Sequence, residues 1–425
     1  MKQGSENRKK LLILGGKPIG SCELVRAAKK EGIYTIVADY LETDKSPAKQ
    51  IADEAWLLST ADLDSLEEMA YNIGIDGVLS GVHEFNIEKM IGLCERLAFP
   101  CYCNAWQWEL CTNKARFKNL CRLHGIPVTP EYDINVVKKA GINYPIVTKP
   151  ADSSGSRGFS ICDNEKDFIS GYEKALSFSE SKLVLIEKYM PYDTVIIHYT
   201  LINGDVYFSG MSEKKSMQLM EYGSSVMALQ LFPSPYIDIY LEKLDKKVKT
   251  MFANIGLHDG PIWIEAFNND GEFVLNEMGY RFGGSLTYYP VHYFYGIDQL
   301  KIMIQYAVHG NENNVFNYDS YIVKPNNKEN YCILPLHLKP GIIRSIYGEK
   351  EIKHIPSIYA YVPVHFVGDE IGKWGTAQQV FCYLHIVFST TEELKETIYN
   401  VLRLLYVYSI NNENLLFCLF DVDSL

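Results

Sequence analysis

The 425-residue sequence predicts an α/β protein of three units: a parallel α/β unit at 1–110, a central α+β unit at 111–310 and a carboxyl-terminal α+β unit at 331–425. Three observations carry this reading. Strand and helix patterns alternate from residue 9 to 110, which predicts a parallel sheet with right-handed crossovers. From Tyr144 to Gly279 the grammar changes to short strands and hairpins. Residues 311–330 are polar and Asn-rich, and read as a linker. The length suits about three domains, and a hydrophobic content of 47% excludes a disordered chain.

KKLLILGG, Lys9–Gly16, is a short buried strand ending in glycines. Ile19–Gly32 is an amphipathic helix with Leu24, Val25 and Ala28 on its apolar side. Tyr34–Asp39 and Gly77–Ser80 are further strands, and Leu63–Ile73 and Ile87–Leu97 further helices. Ligands of such sheets sit beyond the carboxyl ends of the strands, which puts Gly15–Gly20, Asp39 and His83-Glu84 on the ligand side. Thr112–His124 is a helix that Thr112 can cap and that Gly125 and Pro127 stop. Asn203-Gly204 between two apolar runs signals a type I′ hairpin. Leu241–Ile255 and Asp298–Val308 are helical, and the last unit is strands plus one helix, Glu392–Leu405.

With 41 basic against 52 acidic side chains, the net charge of −11 argues against general nucleic-acid binding, which needs a basic face. It leaves room for a local basic pocket around a small phosphate ligand. The apolar run Leu11–Leu14 is too short for a secretory leader, and no apolar stretch reaches the roughly 20 residues that span a bilayer. The expectation is a cytoplasmic protein with small-molecule partners, no nucleic acid and no membrane, a homodimer being the default assembly. The ten cysteines include one C-x-C and no C-x-x-C, and are expected to be buried free thiols.

Four constellations bear on chemistry. GGKPIG, Gly15–Gly20, lies between a strand and a helix without the G-x-G-x-x-G spacing; it is either a tight packing turn or a weak anion contact. Lys149-Pro150 closes a strand and leads into a small-residue loop, Ser153, Ser154, Gly155, Ser156, Arg157 and Gly158, whose backbone donors can wrap phosphate oxygens. Glu265 and Glu277 lie on strands joined by NNDG; a three-residue loop, Asn269-Asp270-Gly271, would put both acids on one face. Two such carboxylates repel unless a cation lies between them, and hard oxygen ligands beside phosphates favour Mg²⁺, with Mn²⁺ as an alternative. Arg281 follows, where a guanidinium fork suits a phosphoryl group or a substrate carboxylate.

Taken in order, Lys114, Lys149-Pro150, loop 153–158, Glu187-Lys188-Tyr189-Met190, Glu265 in GPIWIEAF, and Glu277 and Arg281 in NEMGYRFGG resemble the ATP-grasp superfamily. The nearest branch holds biotin carboxylase, carbamoyl-phosphate synthase and L-amino acid ligases. The resemblance covers about residues 10–310, and more weakly 331–425 resembles the last domain of L-amino acid ligases. It implies an amino-terminal pre-ATP-grasp domain, an ATP-grasp domain with a lid at about 145–190, and ATP with Mg²⁺. Lys114 and Lys149 would hold phosphates, loop 153–158 would cover them, and Glu187–Met190 would be the hinge against adenine, with backbone groups of Lys188 and Met190 at the ring edge. Asp193 would take the ribose hydroxyls, Lys214 would be a further phosphate contact with Lys215 an equal candidate, Glu265 and Glu277 would hold the metal, and Arg281 would steady the phosphoryl group or acyl phosphate. Two departures stand out: Gly279 replaces the usual Asn, and His198 stands where an acid is frequent.

The activity implied is amide formation between a carboxylate and an amine through an acyl phosphate. The alternatives are a bicarbonate- or formate-phosphorylating ligase of the carboxylase or purine-pathway type, and a nucleotide-binding protein without turnover. His83-Glu84, Tyr288-Tyr289, His292 and Trp374 are candidate pocket residues.

Overall fold

The computed structural model describes residues 8–138, 142–153, 157–219, 225–310 and 329–425. Strands β1 (Lys10–Leu14), β2 (Tyr34–Asp39), β3 (Glu54–Leu57) and β4 (Gly77–Ser80) form a parallel sheet in the order β3-β2-β1-β4. Helices cover it, so β1 reads as an unbroken apolar run and Leu11–Leu14 are fully buried. The helix Leu63–Ile73 has the expected bounds because Asp62 caps its first turn, accepting from the Ser65 N–H, and Gly74 ends it in the left-handed region.

β5 (Ile146–Pro150), β6 (Ser160–Cys162) and β7 (Val184–Lys188) form a small antiparallel sheet in the order β6-β5-β7, backed by the helix Glu165–Phe178. The chain then enters one large antiparallel sheet. β8 (Asp193–Ile202), β9 (Asp205–Gln218), β10 (Ser225–Phe232), β11 (Gly260–Asn269) and β12 (Glu272–Gly279) come from the central stretch. β13 (Asn330–Leu338), β14 (Gly341–Tyr347), β15 (Ile358–Pro363), β16 (Glu370–Ile371), β17 (Val380–Phe388), β18 (Tyr406–Ser409) and β19 (Leu416–Phe417) complete the strands. The sheet order is β12-β11-β8-β9-β10-β13-β17-β15, with β19 beside β13; β14, β16 and β18 form a separate three-stranded sheet. Ladder bonds from Gln230, Leu231 and Phe232 to Ile333, Cys332 and Tyr331 therefore join strands on either side of 311–328. Most of the expected linker lies outside the described residues.

The two faces of this sheet bury different cores. Tyr331, Ile333, Val380 and Tyr383 join the core shared with the first sheet, while Leu334, Leu336, Leu384 and Ile386 pack with the helix Thr391–Leu404. Asn203-Gly204 forms the expected turn with both residues at positive φ. The sequence reading overlooked β3 and the helix Ala105–Thr112, and it misassigned a cap. Thr112 ends that helix, its hydroxyl donating to the Trp108 carbonyl, while Asn113 caps the next helix, Lys114–Leu123. Among the described residues no helix is long and apolar enough to cross a membrane, and the ten cysteines are free thiols.

Candidate active site

The site grows from the β11–β12 hairpin. Glu265 and Glu277 are direct cross-strand partners, so both carboxylates stand on one face. The turn is not the expected three-residue loop. Asn269 pairs with Glu272 across a two-residue Asp270-Gly271 turn with φ values of 48° and 86°, whose twist matches the strands. That turn alone would set Glu265 opposite residue 276. A bulge between Glu265 and Ala266 inserts Asn276 as an extra residue and restores the shared face. Asn276 then bridges the site: its Nδ2 donates to Glu265 Oε1 at 3.0 Å and its Oδ1 accepts from Lys149 Nζ at 2.7 Å.

Lysines answer each carboxylate. Lys214 Nζ pairs with Glu265 Oε2, and Lys114 Nζ lies 3.3 Å from Glu277 Oε2 while donating to the Ser153 carbonyl at 2.7 Å. Burial would raise the Glu277 carboxyl, but Lys114, Lys149 and Lys214 together hold it at about 2. The like-charge repulsion expected between the acids is thus offset by three ammonium groups.

Behind them lies a buried triad. Glu187, on β7, accepts from Lys149 Nζ at 2.9 Å through one oxygen and from Lys118 Nζ through the other. Lys118 is fully buried; burial first and the Lys149 charge next draw it down to about 8, against the Glu187 carboxylate that favours its charged form. Glu187 therefore fixes the lysines rather than offering its side chain to a ring edge. The Lys188 N–H donates to the Pro130 carbonyl, which restricts its backbone contribution to a ligand to its carbonyl. Tyr189 and Met190 are half-buried after β7, and Asp193 is exposed at the start of β8.

Ser153, Arg157 and Gly158 flank β5 and β6; Ser154, Gly155 and Ser156 lie outside the described residues. Gly158 has φ 78°, and a Cβ there would come within 2.7 Å of the Pro150 ring, so only glycine fits. Gly15–Gly20 proves to be the packing turn. The Gly16 N–H donates to Asp39 Oδ2 at 2.8 Å, Asp39 Oδ1 accepts from the Leu41 N–H, and a Cβ at Gly16 would lie 1.8 Å from Ser46 Oγ. Asp39 is thereby turned inward.

A cavity of about 570 Å³ opens beside the carboxylates, bordered by Glu84, Lys114, Ser153, Trp263, Glu277 and Arg281. Arg281 donates to Glu84 Oε1 at 2.8 and 3.3 Å and to the Phe282 carbonyl at 2.9 Å, and its guanidinium stacks 5.1 Å over the Trp263 ring. Glu84 lines the cavity, whereas Trp374 stacks on His365. Lys114, Lys149, Lys214, Glu265 and Glu277 converge, and Arg281 borders the same cavity as Lys114 and Glu277. Lys118, Asn276 and Trp263 were missed. Lys118 had a signal, lying four residues after Lys114 on one helix face. Asn276 had none, because the bulge that aims it is a tertiary feature.

The segment 114–196, from Lys114 into β8, matches the family model described as carbamoyl-phosphate synthase L chain, ATP binding domain. The fold matches that of the L-amino acid ligase from Bacillus licheniformis at a TM-score of 0.75 and 17% identity, covering 95% of this chain and 100% of that one. The chain has the ATP-grasp fold. Among curated relatives, the 2-oxoglutarate carboxylase small subunit of Hydrogenobacter thermophilus is 30% identical over 203 residues, 43% of this chain and 42% of the relative. A formate-dependent phosphoribosylglycinamide formyltransferase of Sulfurisphaera tokodaii is 26% identical over 198 residues, 44% of this chain and 48% of the relative. The chain thus spans less than half the length of these two relatives. Of the converged residues, Lys114 and Lys149 lie on the matched segment, Lys214 on β9, and Glu265 and Glu277 on the β11–β12 hairpin.

Proposed function

We propose that the chain is an ATP-dependent ligase that joins a carboxylate to an amine through an acyl phosphate, releasing ADP and phosphate. The observation that carries this reading is the convergence of Lys114, Lys149 and Lys214 on the facing pair Glu265–Glu277, with Arg281 bordering an adjoining cavity. In this reading residues 111–310 are the nucleotide-binding unit, 145–190 its lid, and 331–425 a ligase-type carboxyl-terminal unit. Lys114, Lys149 and Lys214 contact phosphates, loop 153–158 covers them, and Lys188, Tyr189, Met190 and Asp193 receive the nucleoside.

Glu265 and Glu277 fit a Mg²⁺ ion: they are two hard carboxylates facing each other across one face of the hairpin. When bound, the ion neutralises phosphate charge. The chain's own residues do the rest. A substrate carboxylate held near Arg281 attacks the γ-phosphorus, an O–P bond forms and the bond to ADP breaks. A free amine then attacks the acyl carbon, the C–N bond forms, and phosphate leaves with the electron pair of the broken C–O bond and takes up the proton that the amine loses. A carboxylate has no leaving group of its own, so phosphorylation supplies one. The work of the protein is positioning, charge neutralisation and exclusion of water from the acyl phosphate.

Incubation with Mg–ATP and a pooled panel of carboxylates and amines tests the reading, with ADP and amide as products. ADP release without amide for every pair contradicts it. Similarity to a formate-dependent relative and a carboxylase supports a second reading, in which the phosphorylated acid is formate or bicarbonate. ADP release stimulated by either ion alone would favour that one.

A further inference from the structure

We propose that Trp263 is a specificity-determining residue for the acyl substrate, its indole N–H donating to the substrate carboxylate beside Arg281. The inference rests on the ligase reading above. Trp263 lies two residues before Glu265 on the same face of β11, and its cross-strand partner is Gly279, just as Glu277 partners Glu265. A Cβ at position 279 would sit 2.3 Å from indole Cε2 and 2.5 Å from Nε1. Gly279 is not at positive φ, so what glycine supplies there is space: the indole lies across the bare strand. From above, the Arg281 guanidinium covers the ring at 5.1 Å, and Arg281 is itself tied to Glu84 and the Phe282 carbonyl. The ring is therefore held in one orientation from both sides.

Held this way, Nε1 is buried and has no hydrogen-bond partner among the described residues, although Trp263 borders the cavity with Lys114, Glu277 and Arg281. An indole N–H can only donate, and a buried donor left unpaired is costly. A fixed neutral donor next to a guanidinium selects an oxyanion. The three phosphate-side lysines are each paired with Glu265, Glu277 or Glu187, whereas Trp263 stacks with Arg281, which pairs with Glu84. That separation assigns the donor to the carboxylate rather than to the nucleotide.

The test uses the full chain with ¹⁵N-labelled tryptophan. The chain has five tryptophans, and loss of one indole cross-peak in Trp263→Phe assigns the resonance. Acetate, succinate and glutamate are titrated with sodium chloride as the ionic-strength control, then Mg–ADP alone. The proposal expects a downfield shift of the Trp263 indole proton with at least one carboxylate and not with Mg–ADP. Movement with Mg–ADP only, or with none of the probes, overturns it. Should nucleotide fail to bind at all while a carboxylate moves the peak, the ligase reading falls and the Trp263 assignment stands. In turnover, Trp263→Phe keeps the ring stack, so the KM for the carboxylate should rise about tenfold with the KM for ATP unchanged; equal changes in both would overturn the assignment.

Discussion

The buried Lys118–Glu187–Lys149 triad gives the sharpest stability prediction. Glu187→Gln keeps the volume and removes one negative charge from a site where Glu187 and Lys118 are almost wholly excluded from solvent. Losing one partner of a buried ion pair costs about 3–5 kcal/mol. The protein has one escape: Lys118, already lowered to about 8 from its ordinary 10.5, can fold uncharged. Without Glu187 its value falls further, below neutrality. The sign follows from proton counting. A lysine whose folded value lies below its unfolded one destabilises the fold while charged, and stability rises with pH between the two values. In the wild type that rise begins near pH 8, and in the variant below pH 7. Each pH unit in the gap is worth about 1.4 kcal/mol, so the variant's deficit shrinks as pH rises towards 8 and levels off above it. Urea unfolding at pH 7 and pH 9 should therefore give a loss of about 3 kcal/mol at the lower pH and roughly 1 kcal/mol less at the higher. Equal losses at both pH values, or none, would refute the reasoning.

Three further outcomes follow from the hairpin and its surroundings. Glu277→Ala should abolish ADP formation in a protein that still folds, read by circular dichroism; wild-type turnover would remove Glu277 from the proposed metal site. Deleting Asn276 should close the bulge and leave Glu277 opposite Glu265 on the same face, so what is lost is the bridge from Glu265 to Lys149, and turnover should fall less far than with Glu277→Ala. The Glu277 carboxyl is held at about 2 against an ordinary 4.5, so the stability it contributes is complete above about pH 4.5 and is lost as pH falls towards 2. Glu277→Gln should accordingly flatten the acid limb of the stability profile over that window, read by denaturant midpoints at pH 3 and pH 6.

Much of this arrangement was legible because it is local. The helix Leu63–Ile73 has the bounds its pattern predicts, Asn203-Gly204 makes its turn, and the apolar run of β1 is a buried strand. The paired acids were legible as a pair, although by the wrong geometry: turn length was read as the source of the shared face, whereas a bulge supplies it. Bulges depend on cross-strand packing and leave no composition cue. Lys118 was passed over because a helical lysine usually faces solvent, and here the partner that buries it comes from β7, 69 residues away. Gly279 was noted only as a lost side chain; the indole that occupies its space belongs to the neighbouring strand. Asp39 illustrates the opposite error. It stands at the carboxyl end of a parallel strand, where ligands bind, yet backbone N–H groups of its own loops take both carboxylate oxygens.

The central claim is that Glu265 and Glu277 create a magnesium-dependent nucleotide site, and calorimetric titration of ATP tests it most directly. The wild type should bind ATP more tightly with Mg²⁺ than with EDTA, and the Glu265→Gln/Glu277→Gln variant should bind equally in both. A wild type that binds no ATP, or a double variant that keeps the full magnesium dependence, would contradict the account.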